Sequence, residues 1–152
     1  MTHLKELGIL GLATALALGV GVSGASAKTI GGMGGKPSSN ADASCANYAY
    51  GSLTNSCSTT KSFVTPLPIS TGGTKTFSYR GYGAASTNNV GCKVVSMASI
   101  SGYWATPTVY LSQFGSVQDV SLGSLYVDGN YPVYMNCSID NGGQLVVAGW
   151  DE

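Results

Sequence analysis

The sequence predicts an all-β protein, a single antiparallel β-sandwich of about seven short strands that disulfides hold together. Short runs rich in Val, Thr, Tyr and Ile alternate with turn residues along most of the chain. No long apolar stripe of helical period follows residue 27, and all four cysteines lie in the part of the chain that contains these runs. Short strands that alternate with turns at this spacing are typical of sandwiches and barrels.

Residues 1–27 are predicted to be a signal peptide that is cleaved after Ala27. A basic residue, Lys5, precedes the uncharged apolar run Gly8–Val22, and Ala25-Ser26-Ala27 then forms an A-x-A cleavage site. These are the three parts of a secretory signal peptide. The alternative is an uncleaved membrane anchor, which needs about 20 apolar residues. Because the run is shorter, the sequence favours a secreted, periplasmic or extracellular protein with no membrane attachment after cleavage.

Residues 28–44 consist mainly of Gly, Ser, Asn and Pro, with hardly any apolar side chains. Such a composition cannot bury a core, so it predicts a flexible Gly/Ser-rich tail. The Gly-Gly pairs around Met33 lack the spacing of a phosphate-binding loop, and no strand and helix follow them. The predicted β-sandwich domain is therefore 45–152.

Seven runs within this domain are predicted as strands. They are Ser62–Pro66, Thr74–Tyr82, Gly91–Ser101, Thr108–Phe114, Val117–Val127, Val133–Ile139 and Gln144–Trp150. The alternation of apolar and other residues is clearest around Cys92 and Cys137, and each cysteine lies on the apolar face of its run. Turn residues at Val127–Pro132 and Asp140–Gly143 separate the later runs and predict tight turns.

The four cysteines are predicted to form two disulfides, because an even number of cysteines in a small exported domain is usually paired. Three pairings are open to the four residues. The sequence favours Cys45–Cys57, which closes a short polar loop, and Cys92–Cys137, which connects two apolar strand faces and would join the sheets. The chain-entropy model assigns these loops roughly 3 and 4 kcal/mol of stabilisation.

Composition argues against several partners. Only 9% of the residues are charged, with seven basic and seven acidic side chains, so no positive excess attracts nucleic acid or an anionic membrane. The one histidine, His3, lies in the predicted signal peptide, and the cysteines are widely spaced, which argues against zinc. The turns at Asp128 and Asp140 carry too few carboxylates for calcium. No metal or cofactor is therefore expected.

The sequence also predicts a protein that is not an enzyme. Without a histidine after residue 27, Ser-His-Asp and Cys-His mechanisms are excluded as they are usually built. A glycosidase needs two carboxyl groups at one bond. Asp119 is the one acid inside a predicted strand, and it has no obvious carboxylate partner in the sequence.

Aromatic residues are the strongest indication of a binding site. The chain has nine Tyr and two Trp, and flat aromatic faces stack on sugar rings and mark binding surfaces. The candidate ligand-binding residues are Tyr79, Tyr82, Tyr103, Trp104 and Tyr110, which would form a strip if their three strands adjoin. The alternative is that each ring fills the core or a cross-strand pair. Strand alternation places Trp104 on the core face, unless Gly102 is a bulge that exposes it.

Three functions are compatible with this sequence. The favoured hypothesis is an exported, non-catalytic binding module for a carbohydrate or another cell-surface polymer. The second is a structural or self-assembling surface or matrix protein, whose flexible tail would add a strand to a neighbour. The third is a small secreted enzyme, with Asp119 or Asp128 as general base and Arg80 as its partner, or an inhibitor that presents the Cys45–Cys57 loop. The oligomeric state is left open.

Overall fold

The computed structural model of the protein describes residues 26–99 and 102–152. In this part of the chain, twelve strands form two antiparallel sheets that pack face to face as a β-sandwich, which confirms the predicted fold class. The predicted signal peptide lies outside the described residues, apart from its last two positions. Among the described residues, no helix is long and apolar enough to cross a membrane.

The strands are short, and three one- or two-turn 3-10 helices of the described chain lie between them. In chain order the strands are β1 (Ala27–Gly31), β2 (Lys36–Pro37), β3 (Ala46–Ala49), β4 (Ser52–Asn55), β5 (Lys61–Leu67), β6 (Gly73–Tyr82), β7 (Val90–Met97), β8 (Tyr103–Ala105), β9 (Val109–Tyr110), β10 (Val117–Val127), β11 (Val133–Ile139) and β12 (Gln144–Asp151). The 3-10 helices are Gly32–Gly34, Asn40–Cys45 and Ser86–Asn88.

Each sheet consists of a series of paired strands in which one strand has two short strands paired along the same side. In sheet 1, β10 pairs with β6 and β6 pairs with β12, while β1 and β4 share the far side of β12 and β3 pairs with β4. In sheet 2, the order is β2, β5, β11 and β7, and β8 and β9 share the far side of β7. The edge strands β10 and β8 therefore belong to different sheets.

Alternation along β11 builds the core as the sequence predicts. Val133, Met135, Cys137 and Ile139 are at most 3% exposed and belong to the hydrophobic cluster between the sheets. The residues between them are half-buried on the outer side of sheet 2. Burying an aliphatic side chain of this size contributes about 1.5–3 kcal/mol relative to leaving it exposed. The period-two pattern therefore fixes which face of the strand points inward.

Residues 28–44 belong to the sandwich instead of forming the predicted flexible tail. β1 pairs with β12 in sheet 1, and β2 pairs with β5 in sheet 2, so this segment runs along both sheets. Gly32 is buried, and a Cβ at this position would lie 1.9 Å from the backbone oxygen of Leu145. Glycine permits this close approach of two backbones. The segment thus pairs within its own domain and is not the flexible tail that the sequence predicts.

The predicted strand Gly91–Ser101 ends early because the chain reverses direction. It is a strand only as far as Met97, and residues 100–101 lie outside the described part of the chain. The Ala98 N–H donates to the Gly102 carbonyl at 2.8 Å, which closes a turn. The chain then returns as β8 beside β7. Gly102 is therefore part of a turn, not a bulge within a continuous strand.

Other strand boundaries differ where the turns are unusual. The predicted strand Thr108–Phe114 contains only the two residues of β9. The hairpin of β3 and β4 is not predicted, and its turn places Tyr50 at φ 50 and Gly51 at φ 83. Two positive φ angles are typical of a type I′ hairpin turn, for which Asn-Gly is the usual signal. Because a tyrosine occupies the first position, the sequence carries no such signal.

The two disulfides have the predicted pairings, Cys45–Cys57 and Cys92–Cys137. The second bond does not join the sheets as expected. Cys92 and Cys137 lie directly opposite each other on β7 and β11, which are neighbours in sheet 2. Both are fully buried, so this bond is a covalent cross-strand link at the centre of one sheet.

Candidate functional site

The five aromatic residues predicted to bind ligand do not form one strip. Tyr79 and Tyr82 lie on β6 in sheet 1, whereas Tyr103, Trp104 and Tyr110 lie on β8 and β9 in sheet 2. The predicted strip requires these strands to adjoin, and β6 instead lies between β10 and β12. The structure therefore divides the candidates between two sheets.

Tyr79 is a core residue and is excluded as a ligand contact. Its side chain is 1% exposed, and its single O–H is shared between the Val90 carbonyl at 2.9 Å and the Val109 carbonyl at 3.1 Å. These carbonyls belong to β7 and β9, so Tyr79 ties sheet 1 to sheet 2. Burial, together with the nearby hydroxyl of Tyr110, raises the pKa of Tyr79 well above its usual range.

Tyr110 and Tyr82 lie on the outer sides of the two sheets. Tyr110 is 52% exposed, and its ring lies over Gly91, where a Cβ would meet the ring at 2.3 Å. Tyr82 is half-buried on the outer side of sheet 1, opposite Val117 of β10 and Gln144 of β12. Neither residue has a described ring contact with another aromatic side chain.

Tyr103 and Trp104 lie near further exposed aromatic residues that the sequence does not predict as part of the site. The reversal of the chain after β7 places both on the edge strand β8, where they are 66% and 46% exposed. Trp104 is therefore not in the core, contrary to the expectation from alternation. Its ring meets that of Tyr126 edge to face, with centroids 5.6 Å apart and an interplanar angle of 85°. Since Tyr126 lies on β10, this pair connects the edges of the two sheets.

A fourth exposed ring, that of Tyr131, lies at the same end of the sandwich. Tyr103 pairs with Met97, the last residue of β7, and the Met97 N–H donates to the Pro132 carbonyl at 3.2 Å. Tyr131 precedes this proline in the turn between β10 and β11 and is 37% exposed. We refer to Tyr103, Trp104, Tyr126 and Tyr131 together as the aromatic corner.

The outer side of sheet 1 forms a polar groove that the sequence does not predict. Small residues on four neighbouring strands lie opposite one another across this face, and they are Thr29 on β1, Gly149 on β12, Ser78 on β6 and Ser121 on β10. Two adjoining hollows of about 290 and 380 Å³ share three of them as lining. A side chain at the glycine would partly fill the hollows, because a Cβ there would already lie 3.0 Å from the Ser78 hydroxyl.

Ionised side chains border the polar groove on both sides. At the end of the groove that Val147 also lines, Arg80 donates from Nε and Nη2 to the two carboxylate oxygens of Asp119, each at 2.8 Å. On the other side, the carboxylate of Asp151 accepts from the backbone N–H and the hydroxyl of Thr76. These hydrogen bonds hold the pKa of Asp119 and that of Asp151 below their usual range. Both carboxylates are therefore charged at neutral pH.

The acids considered for catalysis are far apart. Asp119 lies near the start of β10, and Asp128 follows the end of that strand, about 30 Å away at the rise of an extended chain. Asp128 accepts hydrogen bonds from the backbone and side chain of Asn130, which shape the turn. Two carboxyl groups must lie within about 10 Å to act on one glycosidic bond. Among the described residues, no group of three or more His, Cys, Asp and Glu side chains could hold a metal ion.

The chain matches no family model and no curated protein. Among solved structures it is similar to a family 35 carbohydrate-binding module from Clostridium thermocellum, with 8% identity, a TM-score of 0.52, and coverage of 83% of this chain and 98% of that one. It is also similar to the insecticidal crystal protein Cry2Aa, with 11% identity, a TM-score of 0.57, and coverage of 83% and 21%.

A third similar structure is a Podospora anserina GH26-CBM35 β-(1,4)-mannanase, with 13% identity, a TM-score of 0.51, and coverage of 82% of this chain and 27% of that one. The chain thus spans about a quarter of the length of the mannanase (27%) and about a fifth of that of the crystal protein (21%). At these identities the likeness is one of fold, and it places the chain among β-sandwich domains.

Proposed function

We propose that the protein is an exported, non-catalytic module that binds a glycan through its aromatic corner. The observation that carries this proposal is the contact between the exposed rings of Trp104 and Tyr126 where the edges of the two sheets meet, with the exposed Tyr103 and Tyr131 at the same end of the sandwich. Exposed apolar patches on a protein surface often mark a binding site. The flat, weakly polar C–H faces of sugar rings are suited to stack on such rings.

Three further features support this proposal. A carbohydrate-binding module is among the structures with this fold, and the chain covers 98% of that module. The chain has no net charge, which suits a neutral polysaccharide and gives no attraction to anionic polymers. The two disulfides are stable in an oxidising compartment, where extracellular polysaccharide is found.

Binding of the exported full-length protein to cellulose, xylan, β-mannan, chitin and curdlan tests the proposal, with alginate and pectin as acidic comparisons. Trp104→Ala is expected to lower the affinity for the bound polymer by roughly fivefold or more, because a central aromatic contact contributes over about 1 kcal/mol. Trp104→Phe keeps a ring and is expected to retain most of the affinity. The emission of the exposed Trp104 should change on binding, and Trp104→Phe, which leaves Trp150 as the one tryptophan, should lose this change.

The matched control is Tyr50→Asn. Tyr50 is fully exposed in the β3–β4 turn, away from the aromatic corner, and asparagine tolerates its positive φ. This variant is expected to bind like the unaltered protein. Failure of all the polymers to bind would refute the proposal, and so would equal binding by Trp104→Ala and Tyr50→Asn.

A further inference from the structure

We infer that the glycan site continues from the aromatic corner into the polar groove, and that it takes the interior of a linear, neutral polysaccharide chain. This inference rests on the proposed function of the aromatic corner. It adds a second set of contacts, of different chemistry, on the outer side of sheet 1, and it specifies the class of polymer that the site accepts.

Tyr126 connects the two regions. It lies on β10 opposite Thr74 of β6, and both point to the outer side of sheet 1. The next pair on that side is Ser124 and Thr76, beside Asp151, at the near end of the polar groove. Two residues of an extended strand span about 7 Å, so the ring and the groove are neighbours on one face.

The length of this surface favours a chain over a single sugar. From Thr74, opposite Tyr126, to Arg80 at the far end of the polar groove there are six residues of β6, or about 20 Å of extended strand. This distance is far longer than one sugar ring. A ligand that touches both ends must therefore consist of several linked rings that lie roughly along the strand direction.

The lining of the polar groove suits hydroxyl groups. Among the described residues, the hydroxyls of Thr29 and Ser78 have no hydrogen-bond partner in the protein, and each can donate and accept. Asp151 offers acceptors on one side and Arg80 offers donors on the other. Neighbouring hydroxyls of a sugar, each both donor and acceptor, match this arrangement of donors and acceptors.

The charges of the polar groove select a neutral polymer. Two basic and two acidic side chains line the two hollows, and they are Lys28, Arg80, Asp119 and Asp151. Lys28 is ion-paired with Glu152, and Arg80 is ion-paired with Asp119. Among the described residues that line the two hollows, each cation is ion-paired, so an acidic polysaccharide gains little attraction there and its carboxylates lose hydration.

The test is isothermal titration calorimetry with oligosaccharides of cellulose, xylan, β-mannan, chitin and curdlan, from disaccharide to hexasaccharide. Affinity is expected to rise at least tenfold with length along the series that binds. Ser78→Val and Gly149→Val should each fill the groove. They are expected to remove most of this rise, while disaccharide affinity stays within twofold. Both substitutions place a strand-favouring side chain on an outer face.

The control is Ser138→Val, the same substitution on the outer side of sheet 2, which should leave the whole series unchanged. The inference is overturned if affinity in the unaltered protein does not depend on length, or if both groove variants keep the full rise. A failure of the proposed function has a different signature, because disaccharide binding would then be absent or would be insensitive to Trp104→Ala.

Discussion

Sheet 1 and sheet 2 have six strands each among the described residues, yet they are stabilised in different ways. In sheet 2, six of the eight residues of β7 are buried, and the Cys92–Cys137 bond links this strand to β11. In sheet 1, only three of the ten residues of β6 are buried, and the outer side is lined with hydroxyls and ion pairs. The inner faces of both sheets supply the core, but the disulfide between paired strands and the more continuously buried central strand belong to sheet 2.

This difference indicates how the molecule combines a stable fold with an open polar face. The outer side of sheet 1 contributes little to the core, so its residues are free to be small and polar. Tyr79 connects the two halves, because its ring lies in the core and its hydroxyl bonds two carbonyls of sheet 2. We expect stability to be most sensitive to the disulfide of sheet 2 and to Tyr79, and binding to depend on the aromatic corner and the outer side of sheet 1.

Removing the disulfide of sheet 2 is expected to have the largest effect on stability. In the double variant Cys92→Ala and Cys137→Ala, the free energy of unfolding should fall by about 4 kcal/mol from loop entropy, with a further loss from the cavity. The bond spans 45 residues, and both cysteines are fully buried. Urea denaturation of both proteins, monitored by circular dichroism, measures the difference.

The matched comparison is Cys45→Ala with Cys57→Ala, which opens a loop of 12 residues outside the centre of the sheets. The expected loss is about 3 kcal/mol or less, because the loop is shorter. If this pair destabilises the protein more than the pair in sheet 2, the contrast between the sheets is wrong.

Tyr79→Phe tests the link between the two sheets, and its expected effect on the free energy of unfolding is intermediate. The Val90 and Val109 carbonyls lose the O–H that they share, while Val90 still accepts from the Leu111 N–H, so the free energy of unfolding should fall by about 1–2 kcal/mol. The pKa of Tyr79 is raised in the folded protein, so its contribution is full below the ordinary tyrosine pKa of about 10 and declines as pH rises above it. The urea midpoint of the unaltered protein should therefore fall more steeply at alkaline pH than that of Tyr79→Phe.

Tyr50→Phe is the matched control for the loss of a tyrosine hydroxyl, since Tyr50 is fully exposed. It should leave the urea midpoint at neutral pH unchanged. Equal alkaline slopes for the unaltered protein and Tyr79→Phe would show that the hydroxyl is not held in its neutral form by the fold.

Much of the sandwich can be predicted from local pattern. The predicted bounds Val117–Val127 and Val133–Ile139 match β10 and β11, because alternating burial and flanking turn residues mark both ends. The pairing of the cysteines also follows from the sequence. Their placement within one sheet does not, because strand order is a tertiary property. The strands within residues 28–44 were not predicted for another reason. Glycines that permit close packing of the backbone give this segment the same composition as a flexible one.

The candidate site was less accessible to prediction. Tyr103 and Trp104 stand out as adjacent aromatics, but their exposure depends on the chain reversal before β8, which Ala98 and Gly102 close through backbone groups. Tyr126 joins them because the edges of two sheets meet, and no period within one strand reports that contact. The polar groove depends in the same way on the order β10, β6, β12, which brings together residues far apart in the chain.

The smallest effect on stability is expected for Asp119→Asn, which breaks the ion pair with Arg80 on the outer side of sheet 1. Both side chains are at least half exposed, so water screens their attraction and the urea midpoint should change far less than in Tyr79→Phe. The pKa of Asp119 is lowered, so any contribution exists above the ordinary aspartate range and is lost as pH falls through the lowered value. The same variant should weaken hexasaccharide binding more than disaccharide binding, because it alters the far end of the polar groove. A large loss of stability without this change in binding would mean that sheet 1 uses its charges to hold the fold, and the division between a stabilising sheet and a binding sheet would fail.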